Sequence, residues 1–324
     1  MPRRHKATKF STKLLRVFFV PWCLGGKLFK LFLLLVLFFS SCQNQQTKSK
    51  SKTDLIIFHA GSLSVPFLEL EKEFERLHPD IDVVREAAGS IRCARKITDL
   101  QRDCDIIASA DYKVIEDFLI PKYADSVIHF ATNEMVIVFH EKSRFASKIT
   151  ANNWYEVLQD EQVKFGRSDP NSDPCGYRTI LCMKLAEKYY LDSGITEKLI
   201  DKDSRYIRPK ASDLIALLEI GELDYVFEYK SIAEQFGFPY LELADSINLS
   251  NPDLNKFYNT VSIEINGKKP GELITQVGKA MIYGISTLKN STNLSAAQLF
   301  LDFLFSESGQ AIIEKNGQKF IDFD

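Results

Sequence analysis

The chain reads as an α/β protein of two lobes, each on a mainly parallel sheet, closing around a ligand cleft. Short apolar runs alternate with amphipathic stretches from residue 54 onward, the rhythm of βαβ units. Small-residue loops follow successive apolar runs, which places them together at one edge of a sheet. Two further apolar runs, 133–140 and 281–288, leave the first lobe and return to it. With 324 residues, 45% of them hydrophobic, the chain is long enough for cores of this size.

Residues 55–58 (LIIF) are a short apolar run bounded by Asp54 and by His-Ala-Gly-Ser, as a buried parallel strand reads. The spacing of Phe67, Leu70, Phe74 and Leu77 predicts a helix over 65–78, with Pro66 in its first turn. A strand at 81–84, a helix at 94–101 and a strand at 105–108 complete the first units. After the crossing at 133–140 the second lobe holds strands at 163–165, 223–227 and 240–243, with helices at 177–190 and 213–219. Helices at 296–305 and 307–315 close the chain, the last ending at Asn316-Gly317. The expected lobes are therefore 54–132 plus 283–324, and 133–282, with a hinge beneath the cleft.

Residues 1–41 carry eight Lys or Arg and no acid, and their apolar run 31–39 is too short to span a bilayer. Basic, then apolar, then small residues before a cut describe a secretory signal peptide. Phe39-Ser40-Ser41-Cys42 resembles the lipobox of bacterial lipoproteins, which implies acylation of Cys42 and a membrane anchor. Residues 42–53, almost wholly polar, read as a tether. The expected location is exported, at the cell membrane, facing the periplasm or cell exterior. From residue 42 onward the chain has 33 basic against 43 acidic residues, a balance that argues against nucleic acid as a partner. Cys93, Cys104, Cys175 and Cys182 allow three pairings, and the sequence does not choose among them.

Four loops share one chemistry. His59-Ala60-Gly61-Ser62-Leu63-Ser64 and Ala87-Ala88-Gly89-Ser90 each pass from a strand to a helix. Small residues there leave amides free to face an anion, with the positive helix end behind them. Residues 166–178 (GRSDPNSDPCGYR) place Cys175-Gly176 at another helix start, and 208–213 (RPKASD) open a fourth helix. Tyr229, ending a strand, adds a hydroxyl. Each feature has a plain structural alternative: helix capping for the serines and for Asp213, a long turn for 166–178, a half-buried position for Tyr229.

The strings FHAGSLSVPF, REAAGS, ADY, FATNEMVIVF, GRSDPNSDPCGYR, RPKASDL, LDYVFEYKSIAEQ and YGISTLKN follow one another from residue 55 onward. In that order they resemble the tungstate/molybdate-binding lipoproteins of ABC importers. The resemblance implies a type II periplasmic-binding-protein fold, a molybdate or tungstate ligand, and an ABC permease and ATPase complex as partners. No cofactor and no catalysis are implied. Ser62 and Ser90 would donate from one lobe; Tyr229 and the amides near Cys175 and Ser212 would donate from the other. Asp173 would approach the metal of the oxyanion. A second family carboxylate, a Glu, is replaced here by Ala211. Three other readings stand beside this one. One is a receptor for another tetrahedral anion, sulfate or phosphate. Another is a thiol enzyme pairing Cys175 with His59 or His140. The third is a purely structural surface lipoprotein, against which the donor loops at several element ends argue.

Overall fold

A computed structural model describes residues 52–202 and 204–321. The expected signal segment, Cys42 and the tether as far as residue 51 lie outside the described residues. Among the described residues no helix is long and apolar enough to cross a membrane.

The first stretch runs β1 (Thr53–Ala60), α1 (Ser64–Leu77), β2 (Ile81–Ala88), α2 (Ser90–Thr98), β3 (Ile106–Ser109), α3 (Tyr112–Phe118) and β4 (Ile128–Thr132). The second runs β5 (Met135–Phe139), α4 (Trp154–Gln159), β6 (Phe165–Ser168), α5 (Pro174–Tyr190), α6 (Ile195–Asp201), β7 (Ile207–Arg208) and α7 (Asp213–Glu219). It continues through β8 (Tyr225–Tyr229), α8 (Lys230–Phe236), β9 (Tyr240–Glu242), α9 (Asp245–Asn248), α10 (Asn255–Tyr258), β10 (Ser262–Asn266) and β11 (Leu273–Val277). The chain then returns through β12 (Tyr283–Thr287), α11 (Leu294–Leu304), α12 (Glu307–Lys315) and β13 (Lys319–Phe320).

Two sheets organise these elements, ordered β13-β4-β12-β3-β1-β2 and β7-β6-β8-β5-β9, with β10 and β11 forming a separate hairpin. The βαβ strands pair in parallel, β1 with β2 and β3, and β6 with β7 and β8. The strands that carry the chain between sheets, β5 and β12, pair antiparallel with their neighbours. A strand arriving from the other sheet is not preceded by a crossover helix of its own, so nothing forces it into the parallel direction.

Buried Phe67, Leu70 and Phe74 of α1 pack toward β1 and α11, whereas Leu77, the last member of the expected stripe, is exposed at the helix end. Thr53, assigned to the tether by composition, is already strand: it pairs with Ile81, and its N–H donates to Asp80 O at 2.9 Å. Two helices begin earlier than their apolar periodicity indicates. α2 starts at Ser90 rather than 94, and α5 at Pro174 rather than 177, because the last residues of these small-residue loops, Ser90 and Pro174-Cys175-Gly176, are already helical. The hairpin β10–β11 escaped the sequence reading because only Ile265 and Gln276 of its residues are buried, too weak an alternation to register.

His59, ending β1, is fully buried, with Nδ1 2.9 Å from Ala60 O and Nε2 3.3 Å from Arg85 Nη1. Burial lowers its pKa to about 4. The unfolded chain therefore takes up this proton near pH 6.5 while the folded chain refuses it, so stability is full above pH 6.5 and falls as pH drops toward 4. By pH 5 the loss is about 2 kcal/mol. Urea denaturation at pH 7.5 and pH 5 checks this: His59→Gln is expected to lose less stability over that interval than the unmodified protein.

Candidate functional site

The small-residue loops of the first sheet meet those of the second. Gly89, before α2, lies so close to the second sheet's loops that a Cβ there would sit 2.3 Å from Ser172 O and 2.8 Å from Pro209 O. A Cβ on Gly61 would meet the Lys210 side chain at 2.7 Å and Ser212 Oγ at 3.0 Å. Arg92 N–H donates to Ser172 O at 3.3 Å across the same seam. Thus 59–64, 87–90, 166–178 and 208–213, distant in sequence, form one cradle.

The hydroxyls fall into a connected set. Ser62 Oγ is 2.9 Å from Tyr283 OH, which also accepts from Asn133 Nδ2 at 3.2 Å. The Tyr283 and Tyr229 rings lie edge to face, 6.2 Å between centroids. Tyr229 OH accepts from Arg178 Nη1 at 2.9 Å, and the same nitrogen donates to Ala110 O at 2.8 Å. Ala110 N–H in turn donates to Ser90 Oγ at 3.0 Å. Ser62, Ser90, Asp173 and Tyr229 are each no more than 5% exposed, so the cradle is shut off from solvent.

Capping accounts for one of these side chains. Asp173 is the cap of α5: its Oδ1 accepts from Cys175 N–H at 3.1 Å, and its Oδ2 accepts from Ala211 N–H at 2.9 Å. Neither Ser90 nor Ser212 makes a capping bond, and Ser64 Oγ donates back to Gly61 O instead. The first amides of α2 therefore border the cradle at the positive end of that helix, whereas at α5 Pro174 has no N–H and Cys175 N–H and Gly176 N–H are both held by Asp173. Burial pushes the Asp173 carboxyl up to about 6 in spite of its two amide donors.

The sequence reading missed the charges that hold the cradle. Arg178 and Asp111 are 2% exposed and paired at 3.0 Å, and Tyr177 OH donates to the same Asp111 oxygen at 2.7 Å. Burial opposes ionisation of Asp111, but the Arg178 and Lys279 charges with the Tyr177 hydroxyl hold its carboxyl below the usual range. A signal was there: Arg178 sits in an otherwise apolar first half of α5, TILCM following it, where a charge must find a buried partner. Glu228 was missed as well. It is fully buried, with Oε1 accepting from Tyr229 N–H at 2.9 Å and Oε2 without a hydrogen-bond partner. Burial, with Asp173 nearby, pushes its carboxyl well above the usual range.

The geometry forms no thiol–imidazole pair. Cys175 Sγ lies 3.7 Å from Phe227 O and 3.9 Å from Glu228 Oε1, while His59 is engaged by Ala60 and Arg85 and His140 Nδ1 accepts from Lys142 N–H. Burial pushes the Cys175 thiol well up, the wrong direction for a nucleophile. Cys93, Cys104, Cys175 and Cys182 are all buried free thiols. Among the described residues no group of three or more His, Cys, Asp or Glu is placed to hold a metal ion.

Residues 55–319 match the family of bacterial extracellular solute-binding proteins. An uncharacterized solute-binding protein of Petrotoga mobilis is 51% identical over 82% of this chain and 83% of its own. The molybdate/tungstate-binding protein WtpA of Pyrococcus abyssi is 42% identical over 94% of this chain and 90% of its own. In fold, the chain is similar to the periplasmic molybdate-binding protein of Azotobacter vinelandii, with a TM-score of 0.60 at 15% identity, covering 83% of this chain and all of that one.

Proposed function

Because the chain belongs to the bacterial extracellular solute-binding proteins, we propose that it captures molybdate or tungstate outside the cytoplasm and delivers it to the permease and ATPase of an ABC importer. Its role is binding and transport, in keeping with the family. The observation that carries the ligand reading is the convergence of four loops on one solvent-excluded cradle, lined by Ser62, Ser90 and Tyr229 and by the start of α2. Hydroxyls and helix-start amides are the donors a dianion needs in place of water. The relatives named for molybdate and tungstate span nearly the whole chain, which supports those two anions. No cofactor is needed for this role, and the anion itself is the cargo. Acylation of Cys42 after removal of 1–41 would hold the protein at the membrane beside its permease; the sequence alone supports that part.

Asp173 bears on how the anion is held. Both of its oxygens accept backbone amides, and Ala211 supplies no carboxylate. This favours a tetrahedral, hydrogen-bonded anion over a metal centre with two added carboxylate oxygens. Mechanistically, the anion bridges donors from both lobes and stabilises the closed form by contacts the open form lacks.

Calorimetric titration of residues 52–324 with tungstate, molybdate, sulfate and phosphate tests the reading. Tight binding of the two metal oxyanions, with sulfate and phosphate at least about a hundredfold weaker, is the expected result. A preference for sulfate or phosphate, or no binding at all, would overturn it. Ala211→Glu is expected to change the tungstate-to-molybdate affinity ratio by about tenfold, about 1.4 kcal/mol, by bringing a carboxylate toward the metal.

A further inference from the structure

Beside the cradle lies a groove of about 650 Å3 between α2, the 171–172 turn and the tip of the β10–β11 hairpin. Four of its lining residues are cationic, Arg92, Arg95, Lys268 and Lys269, against one carboxylate, Asp99. Arg92, Lys268 and Lys269 are exposed, and among the described residues none of the three makes an ion pair. Surface lysines and arginines usually have a carboxylate nearby, and the chain after residue 41 has more acidic than basic residues with which to supply one. Their concentration here is local and leaves a net positive rim, with Asp99 paired to Arg95 at 3.3 Å and the Glu272 carboxylate held by Lys269 N–H at 2.9 Å.

Two features tie the groove to the anion site. Ser172, in its wall, precedes Asp173, and Arg92 lies in the first turn of the helix that starts at Ser90. The groove is also closed by a specific clasp. Arg95 Nη2 donates to Asn266 O at 3.2 Å and to Gly267 O at 2.8 Å, joining α2 to the hairpin. Asn266 N–H donates to Asn171 Oδ1 at 2.8 Å, and farther along the hairpin Gln276 Nε2 donates to Asp117 Oδ2 at 3.1 Å. The Arg95 guanidinium stacks over Phe118 at 5.5 Å, which fixes its direction.

We infer that this groove is the entrance through which the oxyanion reaches the cradle, with Arg92, Lys268 and Lys269 drawing it in and Arg95 latching the hairpin behind it. The inference rests on the oxyanion-receptor reading and adds to it a route and a gate. A dianion approaching a net acidic body is repelled over most of its surface. A cluster of unpaired cations at the mouth of the site reverses the local field and raises the association rate, an effect that salt screens. Once the lobes close, the two carbonyl bonds of Arg95 must break before the hairpin can swing away, so the latch acts on dissociation.

The test uses the full chain in detergent with labelled molybdate, measuring association by rapid filtration and dissociation by chase with unlabelled anion. Neutralising the rim with Arg92→Gln, Lys268→Gln and Lys269→Gln together is expected to slow association about tenfold at low salt and to flatten its salt dependence. Dissociation should stay within about twofold of the unmodified protein, since none of these side chains bonds across the seam. Arg95→Lys keeps the charge but loses the forked bond to two carbonyls, and is expected to speed dissociation about tenfold while leaving the salt dependence of association intact. Unchanged association in the triple variant would overturn the entrance, and unchanged dissociation in Arg95→Lys would overturn the latch. If the unmodified protein bound none of the four anions, the receptor reading itself would fall, and the entrance with it.

Discussion

Arg178→Met is expected to destabilise the anion-loaded protein by about 3–5 kcal/mol, the cost of leaving a buried charge without its partner. Three groups lose a donor at once: the Asp111 carboxylate, Ala110 O and Tyr229 OH. Only Asp111 is charged, and at 2% exposure it has no water to turn to. The loss extends to binding. Ala110 N–H holds Ser90 Oγ, and Arg178 aligns the Tyr229 hydroxyl, so one substitution releases a donor on each side of the cradle. Chemical denaturation with saturating molybdate gives the stability change, and calorimetry gives the affinity. The double variant Arg178→Met/Asp111→Asn is expected to recover part of the stability, because it removes the stranded charge, while leaving the affinity low. A drop below about 1 kcal/mol in the single variant would mean that the pair is no more than a surface ion pair in energy.

Gly89→Ala is expected to weaken anion binding at least about a hundredfold while leaving the anion-free protein nearly as stable as before. The backbone of Gly89 is ordinary, with φ −59° and ψ 141°, so alanine fits the local conformation without strain. What it does not fit is the seam. The new Cβ would lie 2.3 Å from Ser172 O and 2.8 Å from Pro209 O, backbone atoms that no side-chain rotation can move. The two loops would have to separate by about an ångström, enough to lengthen several hydrogen bonds to a small ligand beyond useful range. A conflict confined to the closed form is visible only when closure is measured. The anion-free melting temperature should therefore move by no more than a few degrees, and the rise on adding molybdate should largely vanish. An equal loss of stability with and without anion would show instead that Gly89 matters for folding rather than for closure.

Much of this molecule was legible in its sequence. The alternation of apolar runs with 3.6-periodic stretches located β1, α1, β2, β3, β5 and α12 within a few residues. The small-residue loops pointed to the cradle because Gly and Ser at a strand-to-helix turn have few other uses when they recur at neighbouring strand ends. Less legible was where those helices begin. Ser90 and Pro174-Cys175 carry no apolar period, so periodicity reads them as loop while the backbone already turns as helix. The β10–β11 hairpin was invisible for a related reason: it buries one residue per strand, and a strand signal is a burial signal.

By itself the sequence determined the α/β rhythm, the small-residue loops at the strand ends and the family strings, all properties that residues carry locally and in order. Only the tertiary structure decided which side chains balance one another. The pairing of Arg178 with Asp111, the sharing of Asp173 between Cys175 and Ala211, and the clasp of Arg95 on Asn266 and Gly267 each join residues far apart in the chain. The physical reason lies in the range of the forces. Propensity and amphipathic spacing act over a few residues and so leave a trace in the string. Desolvation and charge pairing depend on what burial brings within a few ångströms, and that is known only once the chain has folded and its two sheets have met.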